Sequence, residues 1–241
     1  SICTILLIGC CLVSCEDDDS PQPMPPSQSL NKIMPLGASR VEGNRPEFES
    51  FRYELWKLLV DGEWDIDYIG TLEDEASYEN FSDLPFDNEH EGRGGWTSGR
   101  ILDGIDDWLE QTGAPDIVLF SSPGGNDALT NLPYDQTISN INDIIDRLQA
   151  VNPNVTILIE QLAPGMSSIM TPELTSYFNN LKEEVVQIAT QQTTDNSRVI
   201  PVNMSDGFTD AFLADDVHYN EAGARFIAER YYDALEGVLK K

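Results

Sequence analysis

Five short apolar runs punctuate the chain: Ile33–Leu36, Ile66–Ile69, Ile117–Phe120, Val155–Ile159 and Val199–Val202. Each is too short for a helix and rich in strand-forming residues, so each reads as a β-strand. Between them apolar positions recur at three- and four-residue spacing. In Glu47–Leu59, the side chains of Phe48, Phe51, Leu55, Trp56 and Leu59 share one helical face. Ile101–Leu109 and Ile138–Leu148 repeat the pattern, the second with Ile141, Ile144, Ile145 and Leu148 as its stripe. Pro172–Thr190 follows Thr171, an N-cap residue ahead of a proline at the first helical position. A last helix, Glu221–Leu239, carries Ala222, Phe226, Ile227, Tyr231, Leu235 and Val238. Strands alternating with helices predict a parallel sheet covered on both faces. No internal repeat stands out, and residues 31–241 suffice for one sizeable α/β domain.

The first fifteen residues break this pattern. They are uncharged, contain all four cysteines (Cys3, Cys10, Cys11 and Cys15) and are too short to span a bilayer as a mature helix. They read as the apolar region of a secretory signal whose basic start is missing from the sequence. Leu12-Val-Ser-Cys15 resembles a lipobox, which makes Cys15 the expected lipidation site; Leu7-Ile-Gly-Cys10 fits the same pattern but would leave a very short apolar region. Residues 16–30 combine an acidic run with four prolines and read as an extended, solvated linker. Acidic residues directly after the lipidated cysteine resemble surface-export signals of some Gram-negative lipoproteins. The expected location is therefore the outer membrane or cell surface, with a periplasmic or secreted protein as the alternative. With every cysteine in the leader, the domain has no disulfide and no cysteine metal site.

The formal net charge is −28, from 42 acidic and 14 basic residues. Such a field repels nucleic acid and anionic lipid headgroups, and no basic cluster offsets it. Membrane contact is thus expected only through the lipid anchor, and nucleic acid is excluded as a partner.

Only two histidines are present, His90 and His218. Histidine is the side chain whose ordinary pKa lets it take and return a proton near neutrality. His218 lies in Leu213-Ala-Asp-Asp-Val-His218, with Asp215 three residues before it. A candidate nucleophile, Ser39, ends the run Lys32-Ile-Met-Pro-Leu-Gly-Ala-Ser39, where small residues permit a sharp turn at the strand's end. Alone, this serine fits a helix N-cap equally well. Two glycine-rich segments, His90-Glu-Gly-Arg-Gly-Gly-Trp96 and Ser121-Ser-Pro-Gly-Gly-Asn-Asp127, can bring backbone N–H groups and the Asn126 amide close to a developing oxyanion.

Together these blocks resemble the SGNH hydrolases, also called the GDSL esterase/lipase family. Gly37-Ala38-Ser39 resembles the Gly-Asp-Ser block, Gly95 the glycine block, Gly124 to Asp127 the Gly-x-Asn-Asp block, and Asp215 to His218 the Asp-x-x-His block. They occur in family order, and His90–Trp96 looks most like carbohydrate esterases that remove acetyl groups. The resemblance implies a three-layer α/β/α, flavodoxin-like domain with a five-stranded parallel sheet in the order 2-1-3-4-5. It implies a catalytic triad of Ser39, His218 and Asp215, and an oxyanion hole from the Ser39 and Gly95 amides and the Asn126 side chain. No metal or other cofactor is implied. In an open parallel sheet ligands bind beyond the strands' carboxyl ends, and all four blocks fall on that edge. The expected activity is hydrolysis of short-chain (acetyl) esters of a small molecule or polysaccharide through an acyl-enzyme. The alternatives are an arylesterase, thioesterase or lysophospholipase on the same fold, and an inactive glycan-binding lipoprotein.

One position departs from the family: Ala38 replaces the aspartate before the nucleophile, which puts the bracing of that turn in doubt. Asp216 competes with Asp215 as the orienting acid. His90 reads as a solvated or hydrogen-bonded loop residue, and Arg40 and Arg93 as partners of surface carboxylates. Asp127 reads as a turn brace, while Trp96 and Tyr219 fit either a sugar cleft or aromatic packing.

Overall fold

The computed structural model describes residues 27–241. Cys15, the leader and most of the linker lie outside the described residues. Strand β1 (Lys32–Gly37) pairs in parallel with β5 (Ile117–Phe120), from Ile33 opposite Ile117 to Leu36 opposite Phe120. Strands β6 (Thr156–Gln161) and β7 (Arg198–Asn203) extend the same parallel sheet.

Side chains alternate across these strands with the two-residue period of the pleat. Met34, Leu36, Val118, Phe120, Ile157 and Ile159 enter one core, packed under α3 (Ser98–Thr112), α5 (Tyr134–Val151) and α6 (Pro172–Gln192). Ile33, Ile117, Leu119 and Leu158 enter the other, under α2 (Arg52–Asp61) and α7 (Glu221–Leu235). A strand buried on both faces must be apolar at successive positions, which is why these runs stand out in the sequence. The architecture is three-layered, with helices on both faces of a mostly parallel sheet.

The other side of β1 corrects the five-strand expectation. Two segments share the place of a single second strand: β2 (Asp67–Tyr68) pairs with Lys32 and Ile33, and β4 (Glu89–Gly92) pairs with Leu36 and Gly37. A further strand, β3 (Leu72–Glu73), runs antiparallel to β4, giving seven strands. The five expected strands keep their expected neighbours. Strand β4 escapes the hydrophobic pattern because its sequence is Glu-His-Glu-Gly.

Three of the expected helices run longer than expected, as Ser98–Thr112, Tyr134–Val151 and Pro172–Gln192, and two are shorter. The helix expected from Glu47 begins at Arg52, because residues 47–51 bond elsewhere: the Glu49 amide donates to the Tyr219 carbonyl at 2.8 Å, and Phe48 bridges to Asn44. The last helix ends at Leu235, two residues before Gly237. Two short helices complete the fold at the sheet's carboxyl edge, α1 (Ser39–Glu42) and α4 (Gly125–Leu129). Gly37 permits the first of these: a Cβ there would lie 2.9 Å from both the Ser121 carbonyl oxygen and a Val41 methyl group.

Beside β2 and β4, Asp67, Asp87 and Glu89 bring carboxylate oxygens within 4.8 Å of one another. Burial, added to repulsion from its acidic neighbours, pushes Asp87 from 3.8 up to about 6 and Glu89 from 4.5 up to about 7. An acid whose folded pKa is raised stabilises the fold fully below its unfolded pKa, and that contribution is lost as pH rises through the folded pKa. For Glu89 the window runs from about 4.5 to about 7. Glu89→Gln should therefore unfold at a higher temperature than wild type at pH 8, with the advantage shrinking toward pH 4.5. Thermal unfolding at a series of pH values measures this.

Candidate active site

At the end of β1 the chain turns at Ala38, and Ser39 opens α1. No side-chain cap is made by Ala38, so the turn lacks the local hydrogen bond an aspartate could supply. As the first residue of a helix, Ser39 has no intrahelical acceptor for its amide.

His218 reaches Ser39 from the loop between a 3₁₀ turn (Asp210–Phe212) and α7. One oxygen of Asp215, Oδ1, accepts the Val217 and His218 amides at 2.9 and 2.8 Å, which folds the loop on itself. The other, Oδ2, lies 2.7 Å from His218 Nδ1, and His218 Nε2 lies 2.8 Å from Ser39 Oγ. With Nδ1–H bonded to the carboxylate, Nε2 presents its lone pair to the serine hydroxyl. Partial burial pushes Asp215 up, but the hydrogen bonds from the His218 side chain and from both amides outweigh it and hold the carboxyl below the usual range. Phe48 stacks on the imidazole, with ring centroids 3.8 Å apart and planes 11° apart. Asp216 gives His218 no side-chain contact; its carbonyl instead accepts the Met166 amide at 2.7 Å.

Ser39, His218, Gly95 and Asn126 line one cavity of about 760 Å³. Gly95 follows β4 with φ of +74°, a conformation that strains any residue with a Cβ, although the space beside it is open. Asn126, in α4, donates from Nδ2 to the Trp96 carbonyl at 2.8 Å. An amide nitrogen carries two hydrogens, so the Trp96 bond orients the group and leaves a second donor. Carboxylates of Glu42, Glu73, Asp74 and Glu75 line the same cavity, against a single cation, Arg45, which is itself paired with Glu49.

Several other residues lie elsewhere than the sequence suggests. His90 sits in strand β4, only 1% exposed, with Nδ1 accepting the Gly92 amide at 2.9 Å. Burial, aided by the Arg52 and Arg93 charges, pushes its pKa down to about 2, so it borders the cavity as a neutral group and a poor base. Neither arginine pairs with a surface carboxylate: Arg93 pairs with Glu91, which is fully buried, and Arg40 pairs with no carboxylate among the described residues. Trp96 packs on Trp108, and Tyr219 is fully buried beneath Arg40; neither lines the cavity. Asp127 is buried, accepting the Ser98 amide and hydroxyl at 2.8 and 2.6 Å and the Thr137 hydroxyl at 3.2 Å. It thereby ties α4 to α3 and α5. Glu160, fully buried at the end of β6, accepts the Ser122 amide at 2.7 Å and the Tyr231 hydroxyl at 2.8 Å. A lone carboxylate closing an apolar run was its only sequence signal; nothing local marks Phe48. Among the described residues, the only group of three side chains close enough to share a metal ion is Asp67, Asp87 and Glu89, outside this cavity.

The GDSL-like Lipase/Acylhydrolase family model matches residues 70–226. A curated Acetivibrio thermocellus protein named as endoglucanase X is 30% identical over 145 residues, so the chain spans 58% of that relative's length and the match covers 58% of this chain. A solved family 3 carbohydrate esterase from Clostridium thermocellum is 30% identical with a TM-score of 0.67, covering 87% of this chain and 99% of that one. A mutant acetyl esterase solved with an acetate ion is 26% identical with a TM-score of 0.74, covering 86% and 97%.

The two aspartates of the loop separate in a simple test. Asp215→Asn should lower turnover of p-nitrophenyl acetate by about 10³-fold, because an amide at that position favours the wrong imidazole tautomer. Asp216→Asn should change it by less than about 2-fold, since only its backbone is engaged.

Proposed function

Since this chain belongs to the GDSL-like lipase/acylhydrolase family and is a carboxylic ester hydrolase, we propose that it cleaves acetyl esters of carbohydrates by a serine mechanism. The observation that carries this reading is the hydrogen-bonded chain Ser39, His218, Asp215 at the wall of a large polar cavity. Ser39 Oγ attacks the ester carbonyl while His218 Nε2 takes its proton. The tetrahedral oxyanion is met by the Ser39 and Gly95 amides and the free Asn126 N–H. Collapse of that intermediate breaks the bond to the alcohol, which leaves with the proton from His218. Water then enters, His218 takes a proton from it, and attack on the acyl-serine releases acetate and restores Ser39. Asp215 holds the imidazole and stabilises its charged form.

Two cavities of unequal size meet at Ser39, and their chemistry suits an acetylated sugar. The larger is lined mostly by polar and charged side chains and has room for a hydroxyl-rich alcohol. The smaller, about 30 Å³, is lined by Ala38, Leu129, Leu162, Phe178 and Val217 together with Ser39, Arg40, Ser122, Gly125 and Asn126. That volume holds roughly two water-sized groups, enough for an acetyl methyl and too little for a long acyl chain. This size difference favours acetyl ester hydrolysis over lysophospholipase or long-chain thioesterase activity. The acidic proline-rich linker after Cys15 suits a lipid-tethered enzyme facing polymeric substrate outside the cell.

Wild type should release acetate from acetylated xylan and from p-nitrophenyl acetate, with Ser39→Ala and His218→Ala each losing about 10³-fold or more. Release from the small ester alone would remove the carbohydrate reading, and full activity in Ser39→Ala would remove the serine mechanism. Phe178→Ala should raise the ratio of butyryl to acetyl ester hydrolysis by about 10-fold, the effect of a few methylenes in an apolar pocket. Kinetics on a p-nitrophenyl ester series measure that ratio.

A further inference from the structure

We propose that Arg40 is the positioning residue that fixes the nucleophile turn to the histidine loop, in place of a brace from position 38; this rests on the serine mechanism above. Arg40 directly follows Ser39, and its side chain turns into the protein, leaving it 8% exposed. Its guanidinium makes four hydrogen bonds to neutral acceptors. Nε donates to the Val217 carbonyl at 2.8 Å; Nη1 donates to the Ala163 carbonyl at 2.9 Å and the Ser122 hydroxyl at 3.3 Å; Nη2 donates to the Pro164 carbonyl at 3.1 Å. The group also lies over the Tyr219 ring, 4.8 Å from its centroid. One side chain thus joins α1 to the loops after β5 and β6 and to Val217, the residue immediately before His218.

A surface arginine satisfies its charge with a carboxylate or water. Burying this one among carbonyls costs desolvation, and the fold offsets that cost through Ser122, whose hydroxyl lies 3.2 Å from the buried Glu160 carboxylate. The reward is geometric. Helix α1 has four residues and no side-chain cap, so the Ser39 end of its 2.8 Å contact with His218 is not fixed by its own local structure. A planar fork with fixed donor directions holds both at once, which a lysine ammonium cannot do. Displacement of a reacting group by about 1 Å can cost about 100-fold in rate.

The test compares Arg40→Met, Arg40→Lys and Arg40→Ala with wild type in the full chain, on p-nitrophenyl acetate, with thermal unfolding confirming that each is folded at the assay temperature. The expected result is a kcat lower by about 100-fold in Arg40→Met with KM within about 3-fold, and a parallel fall in the rate at which a phosphonate reagent labels Ser39. Arg40→Lys should stay impaired by at least about 10-fold despite its charge, and added guanidinium ion should restore part of the rate in Arg40→Ala. Folded variants with wild-type kcat and labelling rate overturn the proposal, as does a loss confined to stability. If Arg40→Met and Arg40→Ala do not fold, Arg40→Lys decides alone, and an unchanged kcat in it overturns the proposal. Failure of the serine mechanism is distinct: wild type would then escape labelling, or Ser39→Ala would remain active.

Discussion

The parallel pairing of β1 with β5 is the constraint from which the active site follows. Both strands are apolar at every buried position and face a helix layer on each side, so a one-residue slip would exchange every side chain between the two cores. That register places the end of β1 beside the end of β5, and Gly37 lets Ser121 approach closely enough for the two following turns to share one edge. Ser39 and Asn126 then reach a common cavity without either belonging to a long loop. The opposite flank of β1 is looser in design. There two short strands share one place, and the second of them leads directly to Gly95.

The chemistry assembled on that edge divides into groups that act and groups that hold. Asp215 does both, shaping its loop with one oxygen and orienting His218 with the other. Phe48, Trp96 and Asp127 only hold: an aromatic face against the imidazole, a carbonyl that aims an amide, and a buried carboxylate that fastens α4 to two helices. Beneath them the buried Arg40 and Glu160 are linked through the Ser122 hydroxyl. Acidic groups also line the cavity wall, at Glu42, Glu73, Asp74 and Glu75. A neutral sugar meets no electrostatic barrier there, whereas an acidic one would.

What could be read from the sequence was whatever has a local period or a local motif. Strands β1, β5 and β6 were legible because burial on both faces demands unbroken apolar runs, the partly buried β2 and β7 because of their β-rich composition, and the long helices because burial on one face demands a 3.6-residue stripe. Strand β4 was not, because Glu-His-Glu-Gly carries no hydrophobic pattern and its place is fixed by pairing with β1. Phe48 shows the same limit. It fits the stripe of a helix, yet the backbone of Glu49 finds a better partner in Tyr219, 170 positions away, and the helix starts later. Arg40 looked like a surface cation because its acceptors are backbone carbonyls far along the chain, which no sequence marks.

The most direct test of the serine mechanism is acid quench of the enzyme during turnover of an acetyl ester, followed by peptide mass mapping. The account predicts one acetyl group on the peptide containing Ser39, formed and lost at rates matching turnover, and absent in Ser39→Ala. Turnover with no acyl-serine detected under conditions where deacylation is slowed, or an acetyl group on another residue that forms and decays at the catalytic rate, would contradict it.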